Sequence, residues 1–174
     1  LVVRRFSDTD VRTAIEVRGV LEGLAARHLA ELGMSTAVRN VLLQSIQEGE
    51  ALLSKGHLVL DDIAVWSRLN QRFHAALVHA HTSHVIADAI ARNNHLPFAS
   101  ADSIVIDREA LPAEYQKLSA AQLQHRLVFD ALDRRESARV EMLMREHAWV
   151  GLRYGRLLAP LQASARLTAS PEGP

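Results

Sequence analysis

The 174-residue chain contains no cysteine. Disulfides, thiolate zinc sites and cysteine nucleophiles are therefore excluded, and a reducing compartment is compatible with the composition. Proline and glycine are scarce, at five and eight residues, and most of them stand between periodic segments rather than inside them. An excess of either charge is also missing: twenty Lys and Arg balance twenty Asp and Glu. No global basic field draws this chain towards nucleic acid. No apolar run approaches the roughly 20 residues of a membrane span, and no signal peptide is visible. Motifs that announce catalysis are absent as well. There is no HExxH, no G-x-S-x-G, no glycine-rich phosphate loop and no paired Glu-x-x-His of a di-iron bundle.

What is present fits one soluble domain. Apolar residues make up 48% and charged residues 23%, ordinary values for a globular protein with one substantial core. The hydrophobic pattern is helical throughout, apart from the strand-like Leu1 to Val3. A first helix is predicted from the capping residues Ser7 to Asp10 as far as Gly33, with Ala14, Ile15, Leu21, Ala25 and Leu32 at helical spacing. Ser35 caps a second that runs to about Lys55. Asp61 caps a third carrying Ile63, Trp66, Phe73 and Leu77. Thr82 or Ser83 opens a fourth that ends near Pro97 to Ser100. Ala101 to Lys117, with Pro112 and several charges, reads as a loop. Ser119 opens a fifth helix through a capping box, and a sixth runs from Glu136 or Ser137 to about Leu158. The tail beyond Pro160 has the composition of a disordered segment. Short connections between helices imply an all-α antiparallel bundle of about six to seven helices.

Within that pattern the informative residues are polar ones at apolar positions. Asn70 and His74 lie in the inner stripe of the third helix, four residues apart, and so project to one place. His147 takes a core position beside Val140, Leu143 and Met144. His125 shares a face with Val128 and Leu132. Each buried imidazole needs partners for both ring nitrogens. A divalent ion meets that need, because each ring gives it a lone pair and donates its other N–H elsewhere. The competing reading makes each a hydrogen-bonded core or rim histidine. His28, His57, His79, His81, His84 and His95 lie off these stripes or at their ends and are read as surface or rim residues. Arg18 and Glu22 share the inner face of the first helix. They form an internal ion pair, or Arg18 points inward to hold a carboxylate in its planar fork.

Three segments resemble a known family in order. "EVRGVLEGLAARHLAEL" is similar to the first helix of the FCD domain, the C-terminal effector-binding domain of the FadR subfamily of GntR-type regulators; Arg18, Leu21, Glu22, Ala25 and Ala26 carry the likeness. "NQRFHAALVHAHTSHVI" resembles its D-x-x-F-H segment, and "QHRLVFDALDRRESARVEMLMREH" its E-H segment with the following M-x-x-H. The likeness runs from about Asp8 to Leu158. It implies a metal inside the bundle, held by an acidic residue and three histidines, which correspond here to Asn70, His74, His125 and His147. Zn²⁺ or Ni²⁺ suits three imidazoles best, with Mn²⁺ behind them. A small organic acid would complete the coordination, with Arg18 as its clamp and Asn93 and Asn94 as further effector contacts.

Four departures stand out. Asn70 replaces the commoner Asp, Gln124 the Glu before the histidine, His84 an Asn, and Arg135-Glu136 a Gly-Asp. A neutral ligand at Asn70 binds the metal less tightly and leaves the site about one charge more positive. Alternatively Asn70 only supports the site and water takes its place. The resemblance also makes residues 1-7 the end of a preceding winged helix-turn-helix domain with its linker, residues 8-158 the effector-binding domain and residues 159-174 the tail. Because the chain starts at Leu1 and not Met, we expect a fragment that lacks its DNA reader. The expected protein is cytoplasmic, dimeric and not an enzyme. Its rival is a metal-dependent hydrolase or lyase with water activated at an open position; a structural metal, or an apolar pocket with none, is the third possibility.

Overall fold

A computed structural model of the chain describes residues 7–80, 84–96 and 106–154. These form six helices: α1 (Asp8–Leu32), α2 (Thr36–Leu53), α3 (Leu60–Val78), α4 (Val85–Asn93), α5 (Leu111–Asp133) and α6 (Ser137–His147). A π-helical turn, Val150–Tyr154, follows. No strand occurs among the described residues, so the fold is the expected all-α bundle.

The helix ends follow local chemistry. Ser7 Oγ accepts the Asp10 N–H at 3.1 Å, while the Asp10 carboxylate accepts the Ser7 N–H at 2.8 Å. This reciprocal box starts α1, and Gly33 at φ 87° ends it. Ser35 Oγ caps α2 by accepting the Val38 N–H. The third helix begins one residue before its expected cap, with Val59 at the N-cap and its N–H held by the Asp62 carboxylate at 2.7 Å. His84 stands at the N-cap of α4; Thr82 and Ser83, the expected openers, lie outside the described residues.

Two expectations about the helices are corrected. The stretch before Ser119 is not a loop: α5 starts at Leu111. Pro112 falls in its first turn, where no intrahelical N–H bond is lost. Glu114 and Lys117 then pair at i, i+3 and are both buried, so charges that suggest a loop are matched inside a helix. The sixth helix is shorter than expected and gives way to the π turn after His147. At that junction the Ala148 carbonyl accepts a bond from the Arg18 guanidinium at 3.0 Å, so a side chain from α1 takes over an acceptor at the end of the ladder. Leu32, expected on the inner face of α1, is 70% exposed at the helix end. Leu1–Val3, His81 and the tail after Pro160 lie outside the described residues.

The core has two parts. Leu29, Leu42, Phe73, Leu77, Ile90, Val128, Leu132, Val140 and Met144 fill the first, between all six helices. Leu53, Leu58, Trp66, Leu118 and Val150 form the second. The main neighbour of α1 is α6, and two glycines bring them together. A Cβ on Gly23 would lie 2.9 Å from the Glu141 carbonyl, and one on Gly19 would lie 3.0 Å from the Ala148 Cβ. Backbone therefore approaches backbone, and the end of α6 that carries His147 is pressed against the helix that carries Arg18 and Glu22.

Candidate metal centre

His74, His125 and His147 come from α3, α5 and α6 and meet in the interior. They are 5%, 3% and 5% exposed, and their ligand atoms all lie within 4.8 Å of one another. The Nε2 of His147 stands 3.2 Å from that of His74 and 3.1 Å from that of His125. Phe73 stacks on His125 with ring centroids 4.2 Å apart, and Trp66 lies parallel to it at 6.3 Å. One residue of each core cluster therefore clamps the His125 ring, and the three imidazoles sit at the seam between the clusters.

The far nitrogens fix the tautomers. The Gln124 side-chain oxygen lies 2.9 Å from His147 Nδ1. An oxygen acceptor there requires Nδ1 to carry the proton, which leaves the lone pair of the neutral ring on Nε2. His74 Nδ1 lies 3.2 Å from Glu22 Oε2, close enough for strong attraction though not aligned as a hydrogen bond. A carboxylate at that nitrogen likewise places a proton on Nδ1, which in a neutral ring leaves the lone pair on Nε2. With both rings neutral, two lone pairs face each other across 3.2 Å. His125 can offer a proton to one of them but not to both.

Such an arrangement repels itself unless a cation lies between the rings. A proton on His125 or His147 is disfavoured. Burial first, and then the charge of His74, hold the His125 pKa well below 6.5. Burial, followed by His125, His74 and Arg18, does the same for His147. A divalent ion suits the spacing better. Two nitrogens about 2.1 Å from one ion stand about 3.0 Å apart at a right angle and about 3.4 Å apart at the tetrahedral angle, and the observed separations fall between these values. The donor set therefore fits a metal.

Glu22 is 2% exposed. Burial alone would raise its pKa, but the attraction of His74 and then that of Arg18 outweigh burial and leave it below the ordinary value. Arg18 Nε lies 4.0 Å from Glu22 Oε2. Of the two sequence readings for this pair the structure displays the ion pair, extended at one end to His74 and at the other to Ala148. Arg18 Nε itself has no hydrogen-bond partner among the described residues.

The remaining expected residues are placed as follows. Asn70 is buried on the inner face of α3, one turn before His74. Asn93 is buried at the end of α4 and donates through Nδ2 to the Ala14 carbonyl at 3.0 Å, which ties α4 to α1. Asn94 is the exposed C-cap of α4. His57, His79, His84 and His95 are exposed and His28 is half-buried, so none of these joins the cluster.

Sequence reasoning missed three contributors. Glu22 and Gln124 were visible as a charge on an inner face and as a family departure, but nothing in the spacing assigns either to its histidine. The Gly19-x-x-x-Gly23 step was legible as a close-approach signal, and α6 is the helix that exploits it. Glu22 brings a carboxylate to the cluster; it touches the Nδ1 edge of His74 and not the Nε2 edge that faces the other two rings.

Comparison with curated proteins gives no significant match. The profile of the FCD domain matches residues 13–148, a span that holds the three imidazoles, both of their Nδ1 partners and the glycine step. With that match over most of its length and this buried cluster at its centre, the chain belongs to the FCD domain family and is a regulatory, ligand-sensing domain of the kind found in GntR-type regulators.

Proposed function

We propose that this domain senses a small organic acid through a divalent metal held by His74, His125 and His147, with Asn70 as fourth protein ligand. The observation that carries this reading is the convergence of three buried imidazoles, with the Nε2 atoms of His74 and His125 3.2 and 3.1 Å from that of His147 and with Glu22 and Gln124 against the outer nitrogens of His74 and His147. Zn²⁺ or Ni²⁺ is the favoured ion for a set of imidazoles, with Mn²⁺ next. The metal supplies a Lewis-acidic centre for a carboxylate. The chain's own groups hold and aim the ion and exclude bulk water from it.

Arg18 is the effector's anion contact in this reading, through the buried Nε that lacks a hydrogen-bond partner. Asn93 retains its side-chain oxygen for a ligand, since its nitrogen is committed to Ala14, and Asn94 is the outer contact. The regulator belongs to the FadR subfamily and acts in the cytoplasm as a homodimer. A separate winged helix-turn-helix domain contacts DNA, and effector binding shifts the placement of the two readers.

Elemental analysis after purification without added chelator tests the metal, and thermal shift with a panel of C2 to C6 carboxylates tests the effector. About one equivalent of metal is expected, together with a carboxylate that raises the melting temperature of the loaded protein but not of the chelator-stripped one. A protein that takes up no zinc, nickel or manganese overturns the reading.

A further inference from the structure

The donor set carries little negative charge. An Asn side chain and three imidazoles are uncharged donors, and among the described residues no carboxylate joins the group of ligand atoms. Yet a buried divalent ion needs compensating charge, because the low-dielectric interior does not screen it. The structure places one carboxylate against the set. Glu22 is buried, belongs to α1 and lies 3.2 Å from His74 Nδ1. Its own surroundings hold it there. Gly23, the next residue, is packed on the Glu141 carbonyl, and Arg18, one turn earlier, is fixed through the Ala148 carbonyl.

We infer that Glu22 is the positioning and charge-balancing residue of the metal centre, acting through His74 in place of the carboxylate ligand that Asn70 does not provide. This inference rests on the metal reading above. A carboxylate on Nδ1 makes the opposite nitrogen a stronger donor and locks the ring towards the ion. Arg18 Nε lies 4.0 Å from Glu22 Oε2, so Arg18, Glu22 and His74 form one relay from α1 to the ion.

The test compares Zn²⁺ affinity, by competition with a chelator of known affinity, in the full chain and three variants: Glu22→Gln, Asn70→Asp, and the two combined. Glu22→Gln keeps an oxygen near Nδ1 and removes only the charge. We expect it to weaken Zn²⁺ binding by about 10- to 100-fold. The added carboxylate of Asn70→Asp should restore most of that loss in the combined variant, which a merely structural role for Glu22 does not predict. If wild type binds one equivalent and Glu22→Gln binds as tightly, or Asn70→Asp rescues nothing, the inference is overturned while the metal site stands. If wild type binds no Zn²⁺, both fall. Histidine ¹⁵N spectra of the metal-free wild type give an independent readout should Glu22→Gln not fold. His74 in the Nδ1–H form supports the relay, and the Nε2–H form overturns it.

Discussion

His74 and His147 stand 73 residues apart in the chain and 3.2 Å apart at their Nε2 atoms. Each is turned inward by an oxygen acceptor behind it, Glu22 for one and Gln124 for the other. With both rings neutral their Nε2 lone pairs point inward, and on the proposed reading they form a cation site whose orientation is set before any ion arrives. Pre-organisation of this kind spares the ion most of the cost of ordering its ligands.

Removing one ring should remove the ion. His147→Ala is expected to lower metal content to well under one equivalent and the melting temperature by several degrees, because ion binding to the folded state alone adds about 2.7 kcal/mol at 100 times the dissociation constant. Elemental analysis and calorimetry read the two effects. Unchanged stoichiometry would place the ion elsewhere.

Acid should weaken the metal-free protein in a defined window. His125 and His147 are held well below 6.5 in the fold, by burial foremost, whereas the unfolded chain takes up protons near 6.5. The unfolded state therefore binds more protons below that pH. Stability is full above about pH 6.5 and falls on acidification, by at most about 1.4 kcal/mol per pH unit for each ring. Glu22, lowered from its usual 4.5, stabilises the fold above that value and loses its contribution as pH falls through its folded pKa. Urea midpoints between pH 8 and 5 measure this. A flat profile would contradict the burial of neutral rings.

Packing of α1 on α6 should tolerate no methyl at Gly23. The added Cβ would meet the Glu141 carbonyl at 2.9 Å, and a backbone atom cannot rotate aside. Gly23→Ala is expected to cost about 1 to 3 kcal/mol through overpacking, against about 1 kcal/mol gained in helix propensity. It should also loosen metal binding by displacing His147. A variant as stable as wild type would show that the helices separate without penalty.

Arg135 offers a subtler case. It occupies φ 59°, the left-handed region where glycine is favoured by about 1 kcal/mol. Its guanidinium recovers some of that cost by donating to the Leu32 carbonyl at 2.7 Å, beyond the end of α1. Arg135→Gly should stay within about 1 kcal/mol of wild type in urea unfolding, because strain and cap are lost together. Arg135→Ala keeps the strain and loses the cap, so it should be the less stable of the two. Equal midpoints would remove the backbone argument.

Much of this protein was legible before folding was considered. Ser7, Gly33 and Ser35 mark helix ends because capping is a contact between residues three or four positions apart. The inner stripes of α3, α5 and α6 selected His74, His125 and His147 because a helix repeats its faces every few residues. The same local logic erred at Pro112 and Ser119, where a helix starts earlier than its capping signals suggest. There the deciding facts were the burial of Glu114 and Lys117 and the tolerance of a first turn for proline. It erred again after His147, where a contact from Arg18, 130 residues away, takes the Ala148 carbonyl.

The sequence by itself determined the helical class, the balanced charge, the exclusion of thiol chemistry and the three inward imidazoles. All of these depend on composition or on periods of a few residues. Tertiary structure alone decided which oxygen stands behind which ring, that Gly19 and Gly23 serve α6, and that Arg18 reaches the end of α6. These are contacts between distant segments, and they follow from the mutual packing of helices, which no spacing along the chain encodes.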